Sequence, residues 1–125
     1  MKGTILVVDD SPIIRKLVPL LLRQAGVEFD SILEAADGSE ALLLLRSHKV
    51  ALILCDITMP RMTGIELLGR LQRENLAIGV PIVMITAEHG DAQVNQAMLC
   101  GARGYIRKPF TADHIRNSLR SLLPA

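Results

Sequence analysis

Four apolar runs along the chain each end on a polar residue able to do chemistry. Ile5-Leu6-Val7-Val8 stops at Asp9-Asp10, and Ala51-Leu52-Ile53-Leu54-Cys55 stops at Asp56. Pro81-Ile82-Val83-Met84-Ile85 stops at Thr86, and Gly104-Tyr105-Ile106-Arg107 stops at Lys108-Pro109. The stretches between them have helical periodicity, so the runs read as parallel strands in a strand–helix repeat. A further strand is expected around Ser31 to Ala35. Five strands alternating with five helices predict a three-layer α/β/α sandwich with right-handed crossovers.

Local signals set the helix boundaries. The first helix is expected to start with Ser11 as N-cap and Pro12 at the first helical position. Its apolar residues are Ile13, Ile14, Leu17, Val18, Leu21 and Leu22, and Gly26 is the expected C′ residue. Pro19 sits in mid-helix, where it deprives the Arg15 carbonyl of its donor and collides with it, so a kink is expected. Asp37-Gly38-Ser39-Glu40 and Thr63-Gly64-Ile65-Glu66 both read as capping boxes opening helices. A fourth helix should cover about Asp91 to Cys100 and stop at Gly101. The last should start at Thr111 with a narrow stripe of Ile115, Leu119, Leu122 and Leu123.

A chain of 125 residues is expected to form one domain, 1–125, with a single core. No apolar run reaches membrane-spanning length, and Met1-Lys2-Gly3-Thr4 leads into a strand without a signal-peptide pattern. Cys55 and Cys100 form no metal-like pair and read as reduced, buried small hydrophobes of a cytoplasmic protein. A net charge of +1, with no Trp, one Tyr and two Phe, argues against a nucleic-acid surface of basic stripes and stacking rings.

In an open α/β sheet the ligand site lies beyond the carboxyl ends of the strands, where the strand order reverses. Asp9, Asp10, Asp56, Thr86 and Lys108 should therefore gather at one sheet edge. Each has an ordinary alternative role. The Asp pair can cap a helix, Asp56 can open a turn before Thr58-Met59-Pro60, Thr86 can be a β-branched strand residue, and Lys108 can be solvated. Together they suit an all-oxygen Mg²⁺ site holding a phosphorylated carboxylate. Two carboxylates about 4 Å apart at an effective dielectric near 20 repel by roughly 4 kcal/mol, which a cation or a shifted pKa must offset. Mg²⁺ takes one or two carboxylates plus phosphate oxygens and keeps several waters. In this reading Asp56 is the nucleophile for phosphorus, Lys108 and the metal stabilise the developing charge, and the Thr86 hydroxyl donates to a phosphoryl oxygen. Tyr105 is either a half-buried edge-strand aromatic or a switch that fills space vacated by a moving Thr86. His48, His89 and His114 have no spaced partners and read as surface residues.

The motifs Asp9-Asp10, Asp56-x-x-Met59-Pro60-x-Met62-x-Gly64, Thr86-Ala87 and Lys108-Pro109-Phe110 resemble the response-regulator receiver domain of two-component signalling, of the CheY-like kind. The resemblance spans essentially the whole chain, including Glu34-Ala35-Ala36-Asp37-Gly38 and Gly101-Ala102. It implies a flavodoxin-like fold with strand order 2-1-3-4-5. It implies that Asp56 accepts a phosphoryl group from a histidine kinase or histidine phosphotransfer protein. Asp10 and Asp56 would ligate Mg²⁺ directly, Asp9 mainly through water, and Thr58 through its backbone carbonyl. Thr86 and Lys108 would bind the phosphoryl group, and Lys108–Pro109 would be a cis peptide. Activation would couple Thr86 to Tyr105 and remodel the face of the fourth helix, fifth strand and fifth helix, where a downstream protein docks. Thr58 and Glu88 occupy positions that tune phosphoryl lifetime in the family. Gly101-Ala102-Arg103-Gly104-Tyr105 lacks the Asp-Asp-Tyr run of many winged-helix regulators.

Two other readings use the same residues. A small phosphatase would use Asp56 as nucleophile but needs an acid where Thr58 stands. A flavin-binding module needs a Ser/Thr/Gly-rich phosphate loop where Asp9-Asp10 stands. From Asp91 to Ala125 five basic residues (Arg103, Arg107, Lys108, Arg116, Arg120) face two acids (Asp91, Asp113), which predicts a basic output face with Arg116 and Arg120 on its helix.

Overall fold

The computed structural model describes residues 3–87, 91–120 and 122, so the readings of Glu88, His89 and Leu123 lie outside the described residues. The elements alternate along the chain: β1 (Thr4–Val8), α1 (Pro12–Gln24), β2 (Ser31–Ala35), α2 (Gly38–Ser47), β3 (Leu52–Asp56), α3 (Gly64–Arg73), β4 (Ile82–Thr86), α4 (Asp91–Leu99), β5 (Gly104–Arg107) and α5 (Ala112–Leu119). The strands form one parallel sheet in the order β2-β1-β3-β4-β5, the flavodoxin-like arrangement expected. β1 pairs with β2 on one side and β3 on the other, so the order reverses beside β1 and a crevice opens there.

The period of two along each strand divides the core into two halves. Ile5, Val7, Leu52, Leu54, Val83, Ile85 and Ile106 face the side covered by Val18 and Leu22 of α1 and Ile115 and Leu119 of α5. Leu6, Val8, Ile53, Cys55 and Met84 face the other, covered by α2, α3 and α4 through residues such as Leu42, Leu67, Leu71, Val94 and Ala97. With both faces covered, β3 is buried at every position, as its unbroken apolar run requires.

α1 turns a narrower face inward than the sequence pattern suggested. Ile14, Val18, Leu21 and Leu22 pack on the sheet, whereas Ile13, Leu17 and Leu20 are exposed, because the helix carries more apolar residues than one face can bury. α5 ends at Leu119, so Leu122, expected on the stripe of that helix, packs on the same core half from a turn beyond it.

Helix ends follow the local signals, with three differences. Ser11 accepts from the Ile14 N–H and caps α1, and Thr63 and Glu66 close a reciprocal box at α3. At α2, Asp37 accepts from the Glu40 N–H, but the Glu40 carboxylate reaches back to the Ala36 N–H, one residue beyond the box expected. α5 opens with a box that the sequence reading missed. Thr111 accepts from the His114 N–H and His114 Nδ1 accepts from the Thr111 N–H, each at 3.3 Å. His114 thus has a structural role that no Glu/Gln signature announces. The third difference is Cys100, which is partly exposed rather than buried. α1, α3 and α4 all stop by one device: Val27, Leu76 and Ala102 donate back to Leu22, Leu71 and Ala97 around a left-handed Gly26, Asn75 or Gly101.

α1 continues as α-helix through Pro19 without a break, so proline costs the Arg15 carbonyl its donor without ending the helix. Because the helical path is already in place, Pro19→Ala should raise stability by about 1–3 kcal/mol. A urea midpoint unchanged by this substitution would show that the proline is accommodated without cost.

Candidate functional site

Strand ends deliver the site. Asp9 directly follows β1, Asp56 is the last residue of β3, Thr86 is the last of β4 and Lys108 directly follows β5. Each of these apolar runs is anchored by the core, which fixes its end and the polar residue there. One ligand oxygen from each of Asp9, Asp10 and Asp56 lies within 4.8 Å of the others; Asp9 and Asp56 are buried and Asp10 is exposed.

The two buried carboxylates are held alike. Asp9 Oδ1 accepts from the Ser11 N–H at 2.9 Å, and Asp56 Oδ1 accepts from the Thr58 N–H at 3.2 Å. In both, the donor is the backbone two residues on, the local turn bond that Asp favours. Each Oδ2 is left to the pocket, and the Lys108 ammonium lies 3.3 Å from both. Asp9 Oδ2 makes no hydrogen bond, although it is fully buried. The ordinary turn-forming readings of Asp9 and Asp56 therefore account for one oxygen of each, not both.

The electrostatics follow from this packing. Burial pushes the Asp56 carboxyl up to about 6, the nearby Asp9 charge pushes the same way, and Lys108 only partly opposes them. At Lys108 burial opposes the charge, but the Asp56 and Asp9 carboxylates outweigh it and raise the ammonium above its ordinary value. The donor set fits a divalent hard cation: three carboxylates, one with a buried oxygen that makes no hydrogen bond and has only the Lys108 ammonium beside it, with the Thr58 loop alongside and solvent reaching through exposed Asp10.

Thr86 is buried, and its hydroxyl donates to the Ala87 carbonyl at 3.3 Å. The Lys108 N–H donates to the Thr86 carbonyl at 2.8 Å, tying the two strand ends together. The Lys108–Pro109 peptide is cis. Gly64 is required by close approach, since a Cβ there would lie 2.5 Å from the Asp56 carbonyl oxygen. At Gly38 a Cβ would crowd the Met62 side chain, 2.7 Å from its Sδ and 2.9 Å from its Cβ, where the turn after β2 meets the loop after β3. Arg61 in that loop pairs with Asp37 at 3.2 Å.

Tyr105 is 40% exposed on the edge strand β5, in line with the half-buried edge-strand aromatic expected. Register pairs Met84 with Tyr105 and Thr86 with Arg107, so Thr86 and Tyr105 share one sheet face. A groove of about 630 Å³ runs along β5 between α4 and α5, with Met98, Arg103, Tyr105 and Ile106 among its walls. The expected basic face is largely neutralised. Arg107 pairs with Asp91. Arg116 pairs with Asp113 and donates across to the carbonyls of Gln24 and Ala25. The free carbonyls at the end of α1 attract the guanidinium, so Arg116 braces two helices.

The sequence and fold of the chain match those of known proteins. The family model described as the response regulator receiver domain matches residues 5–120. A chemotaxis protein CheY homolog of Campylobacter jejuni is 38% identical over 120 residues, covering 95% of this chain and 91% of its own. The chemotaxis protein CheY of Pseudomonas aeruginosa is 36% identical and covers 94% of both. Among solved structures, Vibrio cholerae CheY4 superposes with a TM-score of 0.82 at 32% identity, covering 98% of this chain and 100% of that one.

Asp56 binds a proton more tightly when folded, from an ordinary value of 3.8 to about 6. Its effect on stability is therefore unfavourable above pH 6 and fades as pH falls towards 4. Asp56→Asn should be more stable than the parent at pH 7.5 by on the order of 2 kcal/mol, with the gap closing across that window. Urea titrations of both proteins from pH 4 to 8 measure it, and a gap independent of pH would refute the assignment.

Proposed function

Because the chain belongs to the response regulator receiver domain family, we propose that it is a cytoplasmic phosphoacceptor in two-component signalling, with Asp56 as acceptor and residues 1–125 as one receiver domain. The observation that carries this reading is the pairing of Asp9 and Asp56, each with one oxygen tied to backbone and the other turned to Lys108. The donor is a phosphohistidine on a histidine kinase or histidine phosphotransfer protein. No helix among the described residues is long and apolar enough to cross a membrane.

Asp56 carries out the chemistry. With a pKa of about 6 it is ionised at neutral pH yet more basic than an ordinary aspartate, which favours nucleophilic attack. A carboxylate oxygen bonds to phosphorus as the phosphorus–nitrogen bond of the donor breaks. The electron pair leaves on the imidazole, which takes up a proton. Asp9, Asp10, Asp56 and the Thr58 carbonyl are the residues to hold Mg²⁺, which when bound supplies positive charge to the phosphoryl oxygens. Lys108, shared between two carboxylates, exchanges one of them for a phosphoryl oxygen. The Thr86 hydroxyl gives up its long bond to the Ala87 carbonyl for another.

Thr86 movement frees space on the sheet face it shares with Tyr105, and the groove along β5 changes shape. A downstream protein docks on that α4-β5-α5 face. With Arg107 and Arg116 already paired, its contacts there are chiefly apolar, with Arg103 as a basic contribution. The chain is a signal carrier whose covalent state is its output, with no turnover of a separate substrate beyond loss of its own phosphoryl group.

Acetyl phosphate with Mg²⁺ should label the wild type to near stoichiometry through a hydroxylamine-labile bond, and Asp56→Asn should take no label. Label retained on that variant would move the acceptor elsewhere. Lys108→Ala should still bind beryllofluoride, a phosphoryl mimic, but with reduced amide shifts along β5 and α4 in NMR spectra. Shifts as complete as in the wild type would exclude Lys108 from relaying the signal.

A further inference from the structure

Asp9 is held at every polar atom but one. Its N–H donates to the Ala35 carbonyl at 3.0 Å, and its Oδ1 accepts from Ser11 at 2.9 Å. Its backbone carbonyl accepts from Arg15 Nη1 at 2.7 Å. Oδ2 alone makes no hydrogen bond, and it faces the Lys108 ammonium at 3.3 Å. The Arg15 side chain is 17% exposed, and its Nε donates to Glu34 Oε1 at 3.1 Å. Glu34 lies on β2 in register with Val7, one residue before the Ala35 that receives the Asp9 N–H. Its other oxygen accepts from Lys16 at 2.7 Å. Helix α1 and strand β2 are thus clamped together around the peptide that joins Asp9 to Asp10.

We propose that Arg15 is a positioning residue for the acidic cluster: anchored by Glu34, it fixes the Asp9–Asp10 peptide plane and so sets how strongly the cluster holds a divalent cation. The proposal rests on the Mg²⁺ reading above. The carbonyl that Arg15 grips and the N–H of Asp10 belong to one rigid planar unit. Fixing it fixes the N–Cα axis of Asp10, and the Ser11 N–H, held by Asp9 Oδ1 at 2.9 Å, fixes the next peptide plane, so that together the two set the direction in which the Asp10 side chain leaves the backbone. Asp10 is exposed, so the backbone rather than burial determines where its carboxylate is offered. A rigid fork suits this task, because a guanidinium can grip a carbonyl and a carboxylate at once, whereas an ammonium has no such planar geometry. Outer partners of this kind commonly govern the affinity of a metal site without touching the ion.

Charge alone gives the opposite expectation. A guanidinium beside three carboxylates repels an incoming cation, so removing it should tighten binding. Removing Glu34 should weaken binding, and removing both should leave affinity near the parent value. Positioning requires that Arg15→Ala binds more weakly although a positive charge has gone. It also requires that the double variant Arg15→Ala/Glu34→Gln binds no better than Arg15→Ala, since the anchor has nothing left to hold.

The test is a Mg²⁺ titration of each ¹⁵N-labelled protein, followed by amide shifts at pH 7.5 and fixed ionic strength, with urea unfolding to establish that each variant is folded. Arg15→Ala and the double variant should both bind about tenfold more weakly than the parent. Arg15→Lys, which keeps the charge and loses the fork, should also weaken binding, and it carries the test alone if Arg15→Ala does not fold. Unchanged or tighter binding by Arg15→Ala, a return to parental affinity in the double variant, or parental affinity in Arg15→Lys would overturn the proposal. A wild type that binds no Mg²⁺ refutes the metal reading and the proposal with it. A wild type that binds beside an Arg15→Ala equally tight refutes the proposal alone.

Discussion

The ammonium of Lys108 stands between two buried carboxylate oxygens, 3.3 Å from each, and the rest of the molecule is arranged to make that contact possible. Asp9 and Asp56 come from neighbouring strands, β1 and β3, at the place where the strand order reverses. Lys108 comes from just beyond the far edge strand, β5. Only a sheet with both faces packed holds three such distant chain segments in fixed relation. The two core halves do that, and the close approaches at Gly64 and Gly38 seat the loops that complete the crevice. One cation cannot satisfy both carboxylates, however. Asp9 Oδ2 lacks a hydrogen bond and Asp56 keeps a raised pKa, so the crevice has capacity left for positive charge or for an exchange of partners. Such unsatisfied groups cluster where a site must bind something, and the surrounding packing must hold them in place.

Much of this was readable from the sequence, and the reasons are physical. Strand–helix alternation shows in hydrophobic period alone, because a doubly covered parallel strand must be apolar throughout, as β3 is. The polar residues that end those runs were visible as candidates, since a parallel sheet brings its carboxyl ends together. Topology did the gathering that no single motif announces. The differences came where side chains bond across elements or where local rules admit more than one partner. Arg116 read as part of a basic output face until α1 was placed beside it with its terminal carbonyls in reach. His114 closes a box normally closed by Glu or Gln. Which three of the apolar residues on α1 remain in water depends on helix rotation, which a periodic pattern fixes only to within a residue's width. The Arg15–Glu34 contact joins residues on different elements and has no sequence signature.

The same geometry connects the crevice to the far face of the molecule through contiguous contacts. Lys108 holds the Thr86 carbonyl through its own N–H, and Thr86 pairs in register with Arg107. Arg107 lies over the Tyr105 ring and pairs with Asp91, the first residue of α4. Successive residues of β5 thus point to opposite tasks, with Lys108 turned to the carboxylates and Arg107 to α4. A change in the partners of Lys108 acts on a backbone that also carries Arg107 and Tyr105. Contiguity alone transmits nothing, and coupling requires an element with two arrangements that both ends bias. In the function proposed above Thr86 would be that element: it is buried at a strand end, and its hydroxyl bonds the neighbouring carbonyl at 3.3 Å. A stronger acceptor in the crevice would draw it inward, and the space beside it lies on the sheet face that it shares with the partly exposed Tyr105.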